Sequence, residues 1–360
     1  VLTRLPFHAP IARYHQQAAQ LLSAKDAAEP WALRLFHDEV IPTRPGRIEP
    51  SKKRDAALAL ARWYDFRDYP ALEEFAASVA DPASPVHQFE AAAESVIQGD
   101  IETLTQLLHT NPELTQARST RVTQFDPPIH GATLLHYLSA NGVEGYRQLS
   151  PANAPIVAQL LLQSGAAPDA TANCYGGAWT TLALLVSSTP PAQAGVQCAL
   201  VETLVAHGAN VDGRTLITAL TFNFQAAAET LVRLGAPILN VATAAGLGLA
   251  QETARLLLTS DPPSRHRALA LAAHLGHAET TRILLDAGED PNRYNPPQMH
   301  EHSTPLHQAA LAGHFDVVRL LVEHGARLDI EDAAYHGTPL GWAEHGGQTD
   351  VANYLRSKAS

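Results

Sequence analysis

The stretch that decides the fold is Thr304-Pro-Leu-His-Gln-Ala-Ala-Leu-Ala-Gly-His-Phe-Asp-Val-Val-Arg-Leu-Leu-Val-Glu-His-Gly-Ala326. Thr304-Pro305 starts a helix, with proline placed where its missing N–H is not needed. Ala309-Ala310 let two helices approach, and Gly313-His314 turns the chain. Val317, Val318, Leu320 and Leu321 bury a second helix, which Gly325 ends in a left-handed cap. The unit is a helix-turn-helix, and a fold made of such units shows itself as further copies.

Copies lie on both sides. Gly337-Thr-Pro-Leu-Gly-Trp-Ala-Glu-His-Gly-Gly347 opens a last one that ends near Leu355. Upstream, Ala268–His277 pairs with Ile283–Gly288, and a weaker copy surrounds Val241–Leu258. Further back come Leu216–Gly235, Thr180–Gly208 and Thr133–Gly165, each ending in a Leu/Val-rich helix and a Gly-Ala pair. A degenerate first copy runs Phe89–Leu108, with Gly99-Asp100 at the turn. The copies resemble ankyrin repeats. That resemblance implies an all-α solenoid of about eight helix-turn-helix repeats with finger loops over residues 86–360, near the ~33-residue period.

Residues 1–85 do not fit the repeat. Ile11–Ala24, Pro30–Val40, Ser51–Tyr64 and Pro70–Val79 read as helices separated by breaks such as Ile41-Pro-Thr-Arg-Pro-Gly46. The expectation is an N-terminal helical capping segment that covers the apolar end of the array.

Composition agrees with helices. The chain is 46% apolar but only 6% aromatic, which disfavours a β-sandwich. Its net charge of −11 is uneven: residues 1–84 hold 11 Lys/Arg against 11 Asp/Glu, and the rest holds 14 against 25. An acidic array repels a phosphate backbone, so no nucleic-acid partner is expected. Two cysteines, Cys174 and Cys198, are too few for a disulfide framework and point to a reduced, cytoplasmic setting. No apolar run approaches a membrane helix, and Val1-Leu-Thr-Arg-Leu-Pro lacks a signal-peptide core, so no membrane partner is expected.

Function is sought where the repeats depart from the rule. Two connecting fingers are long: the one after Gly165, which holds Tyr175-Gly-Gly-Ala-Trp179, and the one between Gly288 and Thr304. The inner-helix residue after the Thr-Pro-Leu-His slot runs Tyr137, Leu184, Thr218, Thr243, Leu271, Gln308, Trp342. Three residues on, the series is Ala140, Ser187, Thr221, Gly246, His274, Leu311, His345. Small residues in the middle with aromatic ends describe either a ligand cavity or a groove narrowed by curvature. Candidate ligand-binding residues are His130, Tyr137, Tyr175, Trp179, Asn223, Arg293, Tyr294, His300, His302, Tyr335, Trp342 and His345.

Most of the 18 histidines are accounted for by the repeat itself, as with His136 and His307 in the Thr-Pro-Leu-His slot. His300-Glu-His302 puts two imidazoles on one side of an extended strand, but a metal needs a third ligand, for which His130, Glu301 or His274 are candidates. No other cofactor is expected. Glu144, His302, Glu344 and His345 are candidates for acid–base work. Glu344 takes a slot usually filled by a packed alanine, so it is expected to be buried and paired with a neighbour. Arg147 and Arg293 are forks suited to an anionic group. There is no HExxH, P-loop, Gly-x-Ser-x-Gly or Cys-x-x-Cys, and Gly246-Leu-Gly-Leu-Ala ends an inner helix instead of following a strand.

Five stretches narrow the resemblance to a set of bacterial ankyrin-repeat proteins of largely unassigned function. They are Leu60–Leu72, Ala132–Gln148, Tyr175-Gly-Gly177, Pro291-Asn-Arg-Tyr294 and Tyr335-His-Gly-Thr-Pro-Leu-Gly-Trp342. The likeness implies a concave binding face and no particular reaction. The leading expectation is recognition of a protein or peptide on that face. The alternative is a small-molecule binder, or an unusual enzyme that uses the polar mid-groove for acid–base or metal-assisted chemistry.

Overall fold

The structure, a computed structural model, describes residues 1–40 and 52–359. The expected break at Ile41–Gly46 and the expected helix start at Ser51 lie outside the described residues. The chain divides into two compact units, Val1–Asn210 and Val211–Ser360.

The first unit begins with α1 (Ile11–Asp26), α2 (Pro30–Glu39), α3 (Lys52–Trp63) and α4 (Tyr69–Ser78). These share an apolar cluster that includes Leu21, Ala59, Leu60, Leu72 and Phe75. Then comes the pair α5 (Pro85–Gln98) and α6 (Ile101–Thr110), followed by α7 (Leu134–Tyr137) and α8 (Ala154–Gln163). On α5 the spacing of Phe89, Ala92, Ala93 and Val96 gives one buried stripe, and Ser84 caps the first turn by accepting from the His87 N–H. The third pair is α9 (Thr181–Leu185), an inserted α10 (Thr189–Gln193) and α11 (Gln197–Ala206). The finger before α9 departs from an all-α chain. It forms a hairpin of β1 (Thr171–Cys174) and β2 (Gly177–Thr180). Tyr175 and Gly176 both take positive φ at its tip, as a two-residue hairpin turn requires.

Five pairs make up the second unit. They are α12 (Gly213–Thr221) with α13 (Gln225–Arg233), and α14 (Val241–Gly246) with α15 (Ala250–Leu257). Next come α16 (Pro262–His274) with α17 (Ala278–Asp286), then α18 (Pro305–Ala312) with α19 (Phe315–Glu323). The last is α20 (Pro339–His345) with α21 (Thr349–Ala359). Helices α12, α14, α16, α18 and α20 pack in one row, and α15, α17, α19 and α21 pack in a second. The eight helix pairs of the two units match the repeat number read from the sequence.

Each first helix of a pair starts behind Ser84, Thr133, Thr180, Asp212, Asn240, Asp261, Thr304 or Thr338. At Ser84, Thr180, Asp212, Asn240, Asp261 and Thr338 a side-chain oxygen takes up a backbone N–H that the helix leaves unpaired. Second helices end at glycines in the left-handed region, as at Gly165 and Gly325. The following Ala166 and Ala326 amides return to the Leu161 and Leu321 carbonyls at 3.0 and 2.9 Å, so the Gly-Ala pairs of the sequence are helix terminators.

His136 and His307 join one repeat to the next. The Thr304 N–H donates to His307 Nδ1 at 3.2 Å, so that nitrogen carries the lone pair. His307 Nε2 then donates to the Gly337 carbonyl at 3.0 Å, and His136 Nε2 likewise reaches the Trp179 carbonyl at 3.2 Å. Both rings must be neutral. Burial holds His136 down at about 4 and lowers His307 as well. The unfolded chain therefore binds more protons in acid. Stability should be level above pH 7 and fall as pH drops from about 6.5 toward 4, with His136 alone worth on the order of 3 kcal/mol at the acid end. Thermal melts across that range check this; a melting temperature unchanged down to pH 4 would refute it.

Candidate binding surface

The sequence candidates fall into two groups, one in each unit. In the first unit His130, Tyr137, Glu144 and Arg147 come together, none more than 2% exposed. Two buried residues not anticipated from the sequence, Glu90 on α5 and Arg121, complete the cluster with Tyr146. Arg121 grips Glu90 through Nε and Nη2 at 2.8–3.2 Å, and its Nη1 donates to the Tyr146 hydroxyl at 2.8 Å. Arg147 Nη2 donates to Glu90 at 2.7 Å and to Glu94 at 2.8 Å. The Ala132 N–H donates to His130 Nδ1, which leaves Nε2 to donate to Glu144 at 3.2 Å. Burial alone would raise the Glu144 carboxyl, but His130 and the two guanidiniums override it and hold it well below the usual carboxylate range. Glu144 is thus an anchored anion within the protein interior.

The cluster also fastens the N-terminal helices. The Arg121 guanidinium lies 5.1 Å from the Phe66 ring and 4.2 Å from the Phe75 ring, and the Arg67 N–H donates to the Val122 carbonyl at 3.0 Å. Glu90 was legible as the one charge inside the apolar stripe of α5, while Arg121 sits in a loop with no pattern to mark it. Removing one partner strands the others in a low-dielectric site. Glu90→Ala should therefore cost about 3–5 kcal/mol in a denaturant titration. Arg282→Ala, which breaks exposed pairs with Glu279 and Asp286, should cost less than about 1 kcal/mol. Equal costs would show that the network contributes no more than a surface pair.

Elsewhere in this unit Tyr175 is 65% exposed at the hairpin tip, its hydroxyl donating to Asn141 Oδ1 at 2.6 Å. Trp179 is half-buried, and its carbonyl receives His136.

The second unit gathers its candidates on two fingers. The first, between α17 and α18, carries Arg293, Tyr294, His300 and His302; the second, between α19 and α20, carries Tyr335. Tyr294 Oη donates to the Glu331 carbonyl at 2.6 Å, and the Ala333 N–H donates to the His302 carbonyl at 2.7 Å, so the fingers are tied together. The His302 ring lies 5.7 Å from Trp342 and 5.9 Å from Tyr335. His300 is 6.3 Å from His302 on one side and 5.1 Å from His274 on the other. The result is a row of rings from His274 to Tyr335, with Tyr335 itself 78% exposed. Burial, then the neighbouring His300, hold His274 at about 4, so the inner end of this row is uncharged at neutral pH.

Asp332 organises the second finger, although the sequence reading passed over it. Its carboxylate accepts from the Ala334, Tyr335 and Gly337 N–H groups and from Trp342 Nε1, all at 2.7–2.9 Å. Those donors outweigh the effect of burial and hold it down at about 2. Turn-forming Asp is common, and only the indole bond from α20 distinguishes this one.

Glu344 was expected to be buried; its side chain is half-exposed and takes a hydrogen bond from Arg356, because α20 turns that position toward α21. Asn223 takes positive φ in the turn after α12, with His345 exposed at the end of α20. For the His300/His302 pair, no three His, Cys, Asp or Glu side chains among the described residues gather closely enough to hold a metal ion.

The family model for ankyrin repeats (3 copies) matches residues 269–360. Residues 269–360 are ankyrin repeats. A stretch of 55 residues, 15% of the chain, is 46% identical to cyclin-dependent kinase inhibitor 2A of Homo sapiens, covering 35% of that protein. Another comparison gives 44% identity over 50 residues, 14% of the chain, to the NF-kappa-B inhibitor cactus of Drosophila melanogaster, covering 10% of it. The chain thus spans well under two thirds of the length of these relatives. Among the described residues no helix is long and apolar enough to cross a membrane.

The ankyrin fingers yield a direct prediction. Asp332→Ala removes four hydrogen bonds to a carboxylate and should cost about 2–4 kcal/mol. Trp342 fluorescence should shift to the red as its indole N–H loses that partner. An unchanged emission maximum and melting temperature would contradict the role given to Asp332.

Proposed function

We propose that the protein recognises a protein or peptide partner on the finger face of its ankyrin repeats, and the single observation that carries this reading is the exposed ring row. Tyr335 stands 78% exposed at the outer end of that row, and Tyr294 is 43% exposed beside it on the neighbouring finger, both fingers held in place by hydrogen bonds. Aromatic side chains of this kind give large contact area at small entropic cost and are frequent binding hot spots. The names of the two relatives describe inhibitors of other proteins, which supports a protein partner for this chain as well. Residues 1–85 then serve as a helical cap on the repeats 86–360, a role supported by the Arg121 contacts to Phe66 and Phe75. The free thiols Cys174 and Cys198 fit a reducing, cytoplasmic setting.

The test is affinity capture from source cells with paired variants. Tyr335→Ala together with His302→Ala should reduce recovery of the wild-type partner by about tenfold or more. Arg319→Ala, on the exposed side of α19, should leave recovery unchanged. Equal recovery with both would rule out this face.

A further inference from the structure

We propose that a cleft beside the first finger binds an acidic segment of the partner chain, with its anionic side chains held by Arg267 and Arg293; this rests on the protein-recognition reading above. The cleft measures about 550 Å³ and is walled by Pro263, Arg267, Arg293, Tyr294, Pro296 and Pro297. It runs between the start of α16 and the finger that follows α17.

Charge pairing singles these two arginines out. In the second unit Arg255, Arg265, Arg282, Arg319, Arg327 and Arg356 each lie within 4 Å of a carboxylate. Arg267 and Arg293 form no ion pair among the described residues, although the chain as a whole carries 36 acidic side chains against 25 basic ones. Arg267 has one long contact, from Nη2 to the Pro297 carbonyl at 3.4 Å, and Arg293 is exposed. Both arginines line the same cleft as the buried His266 imidazole, so their charges lie in one neighbourhood. Asp261 and Asp290 flank the cleft without lining it or pairing with either arginine; Asp261 accepts from the Ser264 N–H at 2.7 Å and Asp290 from the Asn292 N–H at 2.9 Å.

Two unpaired guanidinium forks in a predominantly acidic protein form a local site for carboxylate or phosphate, which they can grip bidentately. Proline walls do not have to be ordered on binding, which limits the entropic cost. The site is an open cleft next to the tied fingers, and Tyr294 belongs to both. An extended acidic peptide therefore reaches the cleft from the same face as the ring row.

The experiment is fluorescence anisotropy with a labelled hexaglutamate peptide, its hexaglutamine counterpart and a phosphoserine-containing version, on the full chain. The glutamate peptide should bind about tenfold or more tighter than the glutamine one, with affinity falling as salt rises. Arg267→Glu with Arg293→Glu should abolish the difference, Arg293→Gln should reduce it, and Arg319→Glu should not. Tighter binding of the phosphoserine peptide would assign the site to phosphate, and tighter binding of hexaglutamate to carboxylate. Equal binding of charged and neutral peptides, or an unchanged difference in folded Arg293→Gln, would overturn the proposal. Tyr335→Ala leaves the cleft intact and should not affect hexaglutamate binding, so failure of the cleft and failure of the finger face are told apart.

Discussion

The close approach of neighbouring helices is the constraint on which the structure depends. A single helix pair has two apolar flanks and is stable only when both are covered by other pairs. In the second unit the inner row meets this through small residues: Val241–Gly246 on α14 and Ala268–Ala273 on α16 are buried throughout. A Cβ on Gly246 would lie 3.1 Å from Leu220 and 3.4 Å from Leu271, which shows how little space separates three successive inner helices. Packing this close leaves little room for a polar site inside the row, so exposed chemistry is displaced onto the fingers.

Much of this was readable from one repeat. The Thr304–Ala326 stretch carries its cap, its turn and its terminator in fixed positions, and the same physical roles recur at Thr133, Thr180 and Thr338. Four helices before the repeats were legible from their proline breaks and apolar spacing. Less legible was the short α7, where four helical residues replace a full inner helix and the following loop carries Glu144 and Arg147 inward. That burial depends on Glu90 and Arg121, residues 31 apart in sequence and brought together only by the fold.

The sequence names the residue types on the fingers but not their arrangement. Finger aromatics and histidines do cluster, because the Tyr294–Glu331 and His302–Ala333 bonds hold two fingers side by side. Which of them are exposed was not in the sequence. Tyr137 closes α7 and Tyr335 lies on the finger before α20; one is fully buried and the other mostly exposed. The difference lies in the buried charge cluster around Tyr137 and in the Asp332 turn that lifts Tyr335 outward. Long-range hydrogen bonds of this kind leave no periodic trace.

Within the second unit the His307 link, the Asp332 turn and the Tyr294–Glu331 bond hold the fingers on which the proposed function resides. The most direct measurement is photocrosslinking in source cells from a benzoylphenylalanine placed at Tyr335, compared with one placed at Arg319. Recognition by the finger face predicts one dominant protein adduct from position 335 and none from 319. Adducts from position 319 alone, or the same adducts from both, would contradict it.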